Sequence, residues 1–260
     1  MCRHAAYLGP PIPLARFLLE PAHGLLQQAT APRELLYAGL NGDGFGFGWY
    51  APDDGTAVYR NPAPIWTDPN LEALGRSLEA DLWIATVRSA TPGFPPGLIN
   101  TQPFHDGDHL FTHNGFIRDF TRSLRPALLR ILHPDIEAAV RGNTDSEYLF
   151  ALLRQMLWED GGRAPEVAIA ETLGLVEEWA DDAPALLNLL FSDGERIYAT
   201  RHAINHACPS LYYTTDDEAF PDGAQLVASE CLTEDGLWHT VPEHHILILD
   251  AEAPPELIAL

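Results

Sequence analysis

The chain opens with Met1-Cys2-Arg3-His4, and Cys2 becomes the N-terminal residue if Met1 is removed. One residue would then carry both a thiol nucleophile and a free α-amine, and the amine can act as the base for the thiol proton. A free α-amine has a pKa of about 7.7–8.0 and a thiol one of about 8.5, so both exchange protons near neutral pH. The alternative is an ordinary cysteine near a chain terminus, and these four residues alone do not decide between the two.

A nucleophile of this kind needs hydrogen-bond donors for the oxyanion that forms when it attacks a carbonyl. His113-Asn114-Gly115 follows a predicted strand over residues 109–112. The Asn114 amide and the Gly115 N–H could point at one developing charge, and one such donor is worth about 2.7–4 kcal/mol in the transition state. The alternative is a plain Asn-Gly turn, which is common.

The substrate must also be held, and two charged residues could do this. Arg88 ends a strongly apolar predicted strand over residues 82–87, where its planar guanidinium suits a carboxylate. The alternative is a structural ion pair with one of the 37 acidic residues. Asp145 lies at the start of a predicted helix, where it could bind an ammonium group or only stabilise the first helical turn. Together, Arg88 and Asp145 would hold the α-carboxylate and α-amine of a glutamate moiety.

The composition excludes several classes of function. The formal net charge is -22 and the sequence pI is near 4.6, so neither nucleic acid nor an anionic membrane is an expected partner. All 15 basic residues are arginines, which excludes a Schiff-base lysine and a GxxxxGK[ST] phosphate loop. The glycine-rich residues 41–50 also lack GxGxxG followed by a helix, so dinucleotide binding is weakly indicated. A hydrolase is therefore favoured over an ATP-driven synthetase.

The cysteines and the N-terminal region indicate a reducing compartment. Cys2, Cys208 and Cys231 form no CxxC pair, and a disulfide framework is not expected. The start of the chain lacks a charged segment followed by an apolar one, and no apolar run is long enough to span a bilayer. The expected location is the cytoplasm. The sequence leaves the oligomeric state open, a homo-oligomer included.

Two groups of residues have a spacing that loosely suggests a metal site. His202, His206 and Cys208 form one group, and three further histidines cluster near the C-terminus, at His239, His244 and His245. Neither group matches a zinc pattern such as HExxH. We therefore expect core or surface histidines, and no metal.

The pattern of apolar residues predicts the elements that must position these side chains. Strands are predicted at 3–8, within 41–50, and at 56–60, 82–87, 99–104, 109–112, 186–192, 196–200, 211–214, 225–228, 238–241 and 246–249. Helices are predicted at 14–19, 35–37, 70–78, 119–132, 144–158 and 167–179. Gly9-Pro10-Pro11 should end the first strand and Pro126 should break a helix, while Thr144 and Glu147 should form a capping box. We expect one α+β domain of layered sheets and helices over residues 1–260.

Seven motifs follow one another along the chain: Met1-Cys2-Arg3-His4, Asp43-Gly44-Phe45-Gly46, Arg88-Ser89-Ala90-Thr91, Asn100-Thr101-Gln102-Pro103-Phe104, His113-Asn114-Gly115, Thr144-Asp145-Ser146-Glu147 and Ala228-Ser229-Glu230. Taken in this order, they resemble the class II glutamine amidotransferase family, whose members are N-terminal nucleophile hydrolases. The resemblance spans nearly the whole chain, and it implies a four-layer αββα sandwich.

The resemblance also implies residue roles. Cys2 matches the nucleophile that attacks a γ-glutamyl amide, and Asn114 with Gly115 matches the oxyanion hole. Arg88 and Asp145 match the residues that hold the glutamate α-carboxylate and α-amine, with Thr91 nearby as a weaker match. No metal or cofactor is implied.

Within the family, the opening eleven residues resemble the branch that removes glutamate from γ-glutamyl-hercynylcysteine S-oxide in ergothioneine biosynthesis. Pro21-Ala22-His23-Gly24-Leu25-Leu26, Pro32-Arg33 and Pro64-Ile65-Trp66 also match, while Cys231 stands where related sequences often have proline. Three alternatives remain open. They are a subunit that supplies ammonia from glutamine to a partner synthase, a γ-glutamyl peptidase acting on glutathione-like conjugates, and a non-catalytic sensor.

Overall fold

A computed structural model describes residues 2–35, 39–52, 54–91, 94–159, 162–233 and 237–260. The helices are α1 (Leu14–Leu18), α2 (Leu25–Thr30), α3 (Leu71–Ser77), α4 (Arg125–Ile131), α5 (Pro134–Ala139), α6 (Asp145–Glu159) and α7 (Pro165–Ala180). Short 3₁₀ turns cover Ile65–Thr67 and Leu98–Asn100. No helix in these ranges is long and apolar enough to cross a membrane.

The strands form two antiparallel sheets. The first sheet contains β1 (Arg3–Pro13), β2 (Phe45–Ala51), β3 (Gly55–Asn61), β4 (Glu79–Val87), β10 (Tyr212–Thr214), β11 (Gln225–Ala228) and β12 (His239–Thr240), and its spatial order is β12-β10-β11-β1-β4-β2-β3. The second contains β5 (Phe104–His105), β6 (Leu110–Ile117), β7 (Ala185–Ser192), β8 (Arg196–Arg201), β13 (His245–Asp250) and β14 (Ala253–Ala259), in the order β14-β13-β8-β7-β6-β5. The short β9 (Ala203–Ile204) pairs with β7.

Three apolar clusters show how the layers stack. In β1, Ala5 and Tyr7 pack with α1 and α2, whereas Ala6 and Leu8 face the second sheet, as the period of two requires. Leu190 and Leu247 of the second sheet meet Ala6 in the layer between the sheets. The opposite face of the second sheet packs on α4 to α7. The order is therefore helices, sheet, sheet, helices, which confirms the expected α+β class and the αββα sandwich.

The first strand is longer than predicted. Gly9-Pro10-Pro11 does not end β1, because pairing with β4 resumes at Ile12, opposite Ala80, after a register shift that begins at Leu8. The shift takes the two prolines out of the regular ladder, where each would lack an N–H donor. The predicted end of the strand was wrong because the turn signal marks an irregularity within β1.

The Asn114-Gly115 pair is also not a turn. Both residues lie inside β6, which pairs with β7 without interruption from Leu110 to Ile117. A Cβ atom on Gly115 would collide with the Leu186 carbonyl oxygen of β7. The glycine therefore serves a close approach of backbones within a sheet, and the predicted end of the strand at residue 112 was wrong.

The other differences between the predicted and observed elements mostly involve prolines. The region predicted as a strand over 99–104 contains the end of a 3₁₀ turn and only the first residue of β5, Phe104. Pro126 lies in the first turn of α4, so it starts a helix rather than breaking one. The edge strand β14 was not predicted, since Pro254-Pro255 obscures it. The helical turn predicted over 35–37 falls mostly outside the described residues.

Candidate active site

Cys2 lies directly before β1, the central strand of the first sheet. It is buried, with 7% of its surface exposed, and its Sγ lies 3.9 Å from the Ser89 carbonyl oxygen. The antiparallel pairing of Arg3 with Val87 explains this position, because it places the residues after β4 beside the residue before β1. The nucleophile expected from sequence is therefore held by two regular strands.

One cleft contains most of the residues singled out from the sequence. Cys2, Arg88, Thr91, Gly115 and Asp145 all line it. They come from the start of β1, the loop after β4, the strand β6 and the first turn of α6. Asn114 is fully buried and does not line the cleft. Met1 lies outside the described residues.

Arg88 is a buried cation without a carboxylate partner among the described residues. It is 4% exposed, and no ion pair in that part of the chain includes it. Its Nη1 donates to the Asp43 carbonyl oxygen at 3.4 Å and its Nη2 to the Phe94 carbonyl oxygen at 3.1 Å. The structural ion pair considered as an alternative is thus not formed, and the guanidinium remains available to an anion that enters the cleft.

Asp145 lies in the first turn of α6, as expected, and its carboxylate is held by two backbone N–H groups. Its Oδ2 accepts the Ile117 N–H at 2.8 Å and its Oδ1 accepts the Ser146 N–H at 2.9 Å. The N-cap of α6 is Thr144, as predicted, because its Oγ1 accepts the Glu147 N–H at 3.2 Å. The carboxylate is 3% exposed, and each oxygen keeps a free lone pair that a substrate ammonium could use.

Glu147 does not complete the predicted capping box. Its Oε1 accepts the Arg141 N–H at 2.8 Å and its Oε2 accepts the Gly142 N–H at 2.6 Å. The side chain therefore holds the loop before α6 instead of the Thr144 N–H. Burial raises the pKa of Glu147 despite these hydrogen bonds.

His113 forms the floor of the cleft as a neutral imidazole. Burial lowers its pKa and outweighs the attraction of Asp145. Its Nε2 lies 2.8 Å from the Leu186 carbonyl oxygen and must donate to it, so Nδ1 accepts from the Ser146 hydroxyl at 2.9 Å. Gln102 fixes the same residue, accepting from the His113 N–H at 2.6 Å and donating to its carbonyl at 3.1 Å.

Asn114 contacts the start of β1 through Ser229. Its Nδ2 lies 3.2 Å from the Ser229 Oγ, which also accepts the His4 N–H at 3.0 Å. The Asn114 Oδ1 is buried without a partner among the described residues. A half-turn of the amide would let Oδ1 accept the Ser229 hydroxyl proton and would leave Nδ2 as a free donor.

A buried polar cluster holds the chain on the far side of Cys2. The Arg3 Nε donates to the Cys2 carbonyl oxygen at 2.8 Å, and its Nη1 pairs with Glu230 at 3.3 Å. The same carboxylate lies 2.7 Å from the His23 Nε2 and accepts the N–H groups of Arg33 and Glu34 at 2.9 and 3.0 Å. Glu230 thus joins the nucleophile strand to two loops.

Replacing Glu230 by glutamine is expected to destabilise the fold by about 3 kcal/mol, because it leaves the buried Arg3 guanidinium without a counter-charge. Urea unfolding followed by circular dichroism measures this loss. Glu72→Gln is the matched control, since the Glu72 side chain is 85% exposed beside Arg76 and should leave stability unchanged.

The pH dependence provides a second measurement for the same variant. Burial alone would raise the pKa of Glu230, but the hydrogen bonds from His23 and the loop N–H groups outweigh burial and hold that pKa below its ordinary value. A carboxylate with a lowered pKa stabilises the fold above its unfolded value of about 4.3 and loses this contribution as the pH falls further. The stability difference between wild type and Glu230→Gln should therefore shrink below about pH 4; a difference independent of pH would contradict this assignment.

Sequence reasoning missed the residues that support the site. Gln102, Ser229 and Glu230 belong to motifs that carry the family resemblance, but the sequence pattern predicted no contact for any of them. A buried carboxylate is rarely tolerated without partners. The occurrence of Arg3 and Glu230 within apolar segments was therefore the one sequence signal that could have predicted their ion pair.

Comparison with known proteins agrees with this geometry. Residues 30–257 match the family model described as class II glutamine amidotransferases. The chain is 32% identical over 247 residues to a γ-glutamyl-hercynylcysteine sulfoxide hydrolase of Mycolicibacterium smegmatis, covering 95% of each chain. It is 30% identical over 293 residues to a probable glutamine amidotransferase of Saccharomyces cerevisiae, covering 96% of this chain and 82% of that protein.

A solved structure supports the same assignment. The glutamine aminotransferase class-II domain protein from Silicibacter pomeroyi superimposes with a TM-score of 0.71 at 26% identity, and the match covers 99% of this chain and 98% of that one. The family model begins at residue 30, so it leaves out Cys2 and β1 but includes β4, β6 and α6, which carry the other residues of the cleft. The chain therefore belongs to the class II glutamine amidotransferase family.

Proposed function

We propose that this protein hydrolyses a γ-glutamyl amide and releases glutamate, and that its substrate is γ-glutamyl-hercynylcysteine S-oxide. The observation that carries the proposal is the convergence of Cys2, Arg88 and Asp145 on one cleft. The mycobacterial relatives, which carry that substrate in their names, support the choice of leaving group. We further propose that residues 1–260 act as one catalytic domain.

The charges of the cleft suit the amino-acid end of a γ-glutamyl group. Arg88 is a buried cation that reaches only carbonyl oxygens in the described structure, so a substrate carboxylate would supply its counter-charge. Asp145 would accept the α-ammonium from the opposite wall. Thr91, which also lines the cleft, would contribute a hydroxyl to the carboxylate. Binding both ends of the head group leaves the γ-carbonyl at Cys2 as the reacting atom.

Attack begins with the Cys2 thiol. After removal of Met1, the α-amine of Cys2 takes the thiol proton, and the sulfur forms a bond to the γ-carbonyl carbon. The carbonyl oxygen becomes an oxyanion that the Gly115 N–H and, after the half-turn described above, the Asn114 Nδ2 would stabilise. The carbon–nitrogen bond then breaks, and the leaving amine takes the proton from the Cys2 ammonium.

Hydrolysis of the thioester completes the cycle. Water attacks the γ-glutamyl carbonyl carbon while the Cys2 amine accepts one of its protons. The same oxyanion donors act again, the carbon–sulfur bond breaks, and the thiolate recovers the proton from the ammonium. Glutamate then leaves with its new carboxylate. Each proposed step uses only residues of this chain and water, so the mechanism calls for neither a metal nor a cofactor.

Three substrates assayed side by side test the proposal. We expect kcat/KM for γ-glutamyl-hercynylcysteine S-oxide to exceed the values for glutathione and glutamine by about 100-fold, since leaving-group contacts of about 3 kcal/mol distinguish them. Glutamate release measured on purified protein gives all three values. Preference for glutathione would identify a γ-glutamyl peptidase instead. Preference for glutamine, with turnover increased by a partner synthase, would identify an amidotransferase subunit like the one that the yeast relative's name describes.

A further inference from the structure

Two sets of residues that are separated in sequence meet away from the cleft. Cys208 lies in the loop after β9, whereas Glu243 and His244 lie in the turn before β13. One ligand atom from each of these three residues lies within 4.8 Å of the other two. His202 supports this group, because its Nδ1 lies within hydrogen-bond distance of the His244 Nδ1, at 3.0 Å. None of these residues lines the cleft that contains Cys2.

The donor set suits one class of ion. A thiolate, an imidazole and a carboxylate form the sulfur, nitrogen and oxygen mixture that Zn²⁺ accepts when a water molecule supplies the fourth ligand. Oxygen-seeking ions such as Mg²⁺ and Ca²⁺ are excluded, because they do not favour sulfur or nitrogen ligands.

The backbone around these side chains is held in place. The His244 N–H donates to the Arg201 carbonyl oxygen at 2.7 Å, and the His244 carbonyl oxygen accepts the Leu260 N–H at 2.8 Å. His244 also has a φ of 58°, a conformation that non-glycine residues rarely adopt and that is often found at functional sites. The surrounding hydrogen bonds therefore hold His244 in a strained backbone conformation, and this conformation fixes the position of its imidazole.

Arg201 supplies the outer contacts that metal ligands usually have. Its guanidinium donates to the Pro209 carbonyl oxygen at 2.8 Å and to the Val241 carbonyl oxygen at 2.9 Å, which ties together the loops that carry Cys208 and Glu243. It also lies 3.4 Å from one oxygen of the Glu243 carboxylate, which leaves the other oxygen for an ion. Hydrogen-bonded ligands of this kind are typical of metal sites.

We propose that Cys208, Glu243 and His244 bind one Zn²⁺ ion outside the catalytic cleft, with His202 hydrogen-bonded to His244 as a supporting residue. Burial of Cys208 and His202 beside an exposed Glu243 and His244 gives the ion both a packed inner wall and a path of entry. The sequence alone did not indicate this site, because Glu243 was in neither of the two groups considered and those groups matched no zinc pattern. The structure combines Cys208 from the first group with His244 from the second.

Metal titration tests the proposal. Untagged full-length protein, treated with a chelator and dialysed, should bind one Zn²⁺ per chain with a dissociation constant of about 1 µM or lower in competition with a chromophoric indicator. Cys208→Ser and His244→Asn should each weaken binding by about 100-fold. Asparagine is chosen because it tolerates the positive φ at position 244. Co²⁺ in place of Zn²⁺ should show a thiolate charge-transfer band that Cys208→Ser abolishes.

Two further variants keep the test decisive. Glu243→Gln alters an exposed side chain, so it should weaken Zn²⁺ binding without changing the circular dichroism spectrum even if Cys208→Ser fails to fold. Cys231→Ser changes the half-buried cysteine outside the cluster and should bind Zn²⁺ and Co²⁺ as the wild type does. Absence of stoichiometric binding would overturn the proposal, and so would equal Zn²⁺ affinity in wild type, Cys208→Ser and Glu243→Gln.

Discussion

Replacing Cys2 by alanine is expected to reduce glutamate release from a γ-glutamyl amide by about 10⁴-fold or more, because no other group can form the thioester. The side chain is buried at the edge of a preformed cleft, so the alanine variant should keep its fold. Measuring kcat/KM for released glutamate, together with the unfolding midpoint in urea, separates loss of chemistry from loss of structure.

Covalent labelling provides the control for the same residue. A glutamine-analogue electrophile should add one label to Cys2 in the wild type, and mass spectrometry should find the labelled peptide beginning at that residue. Cys231→Ser should label and turn over normally, since Cys231 lies outside the cleft. Full hydrolytic activity in Cys2→Ala would refute the mechanism, as would uniform retention of Met1 in active protein, because an acylated amine cannot serve as the base.

Replacing Arg88 by methionine is expected to lower kcat/KM by about 10²–10³-fold, which corresponds to a loss of roughly 3–4 kcal/mol on a buried charge contact. The physical reason is that the guanidinium lacks a carboxylate partner in the described structure, so the substrate provides its counter-charge. Steady-state kinetics on the preferred γ-glutamyl substrate, with circular dichroism to check the fold, gives the result.

Stability distinguishes this role from a structural one. Arg88→Met removes two hydrogen bonds to carbonyl oxygens, but it also removes a buried charge that has no carboxylate partner among the described residues. Because these two effects oppose each other, the free energy of unfolding should change by less than about 2 kcal/mol. Arg196→Met, which breaks an exposed pair with Asp250, should leave kinetics unchanged. Normal kcat/KM in Arg88→Met, with a large loss of stability, would show that Arg88 supports the fold and not the substrate.

Sequence patterns predicted the elements whose apolar residues alternate on a sheet face. The strands β4, β7 and β11 were placed to within three residues at either end, because their side chains fill the three clusters between the layers. Local turn signals were less reliable. Gly9-Pro10-Pro11 and Asn114-Gly115 both favour turns in isolation, but pairing with β4 and β7 keeps each segment within a strand.

The same distinction applies to the site. Cys2, Arg88 and Asp145 could be singled out as candidates because each has chemistry that is unusual for its place in the pattern, and the family resemblance then favoured them over the structural alternatives. The partners of Glu230 could not be identified, because they come from three regions of the chain that meet only after folding. The proposed half-turn of the Asn114 side-chain amide could not be predicted either. It depends on a hydrogen bond with the Ser229 hydroxyl, and Ser229 lies 115 residues further along the chain.

The central place of β1 has a consequence for how the enzyme is made. Ala5 pairs with Ala228, so the strand after the nucleophile cannot acquire both neighbours until almost the whole chain has been synthesised. At 5–20 residues per second this takes roughly 10–50 s, and contacts of such long range form slowly. The proposed removal of Met1 therefore has the whole of synthesis in which to occur, before β11 pairs with β1 and completes the sheet around the nucleophile.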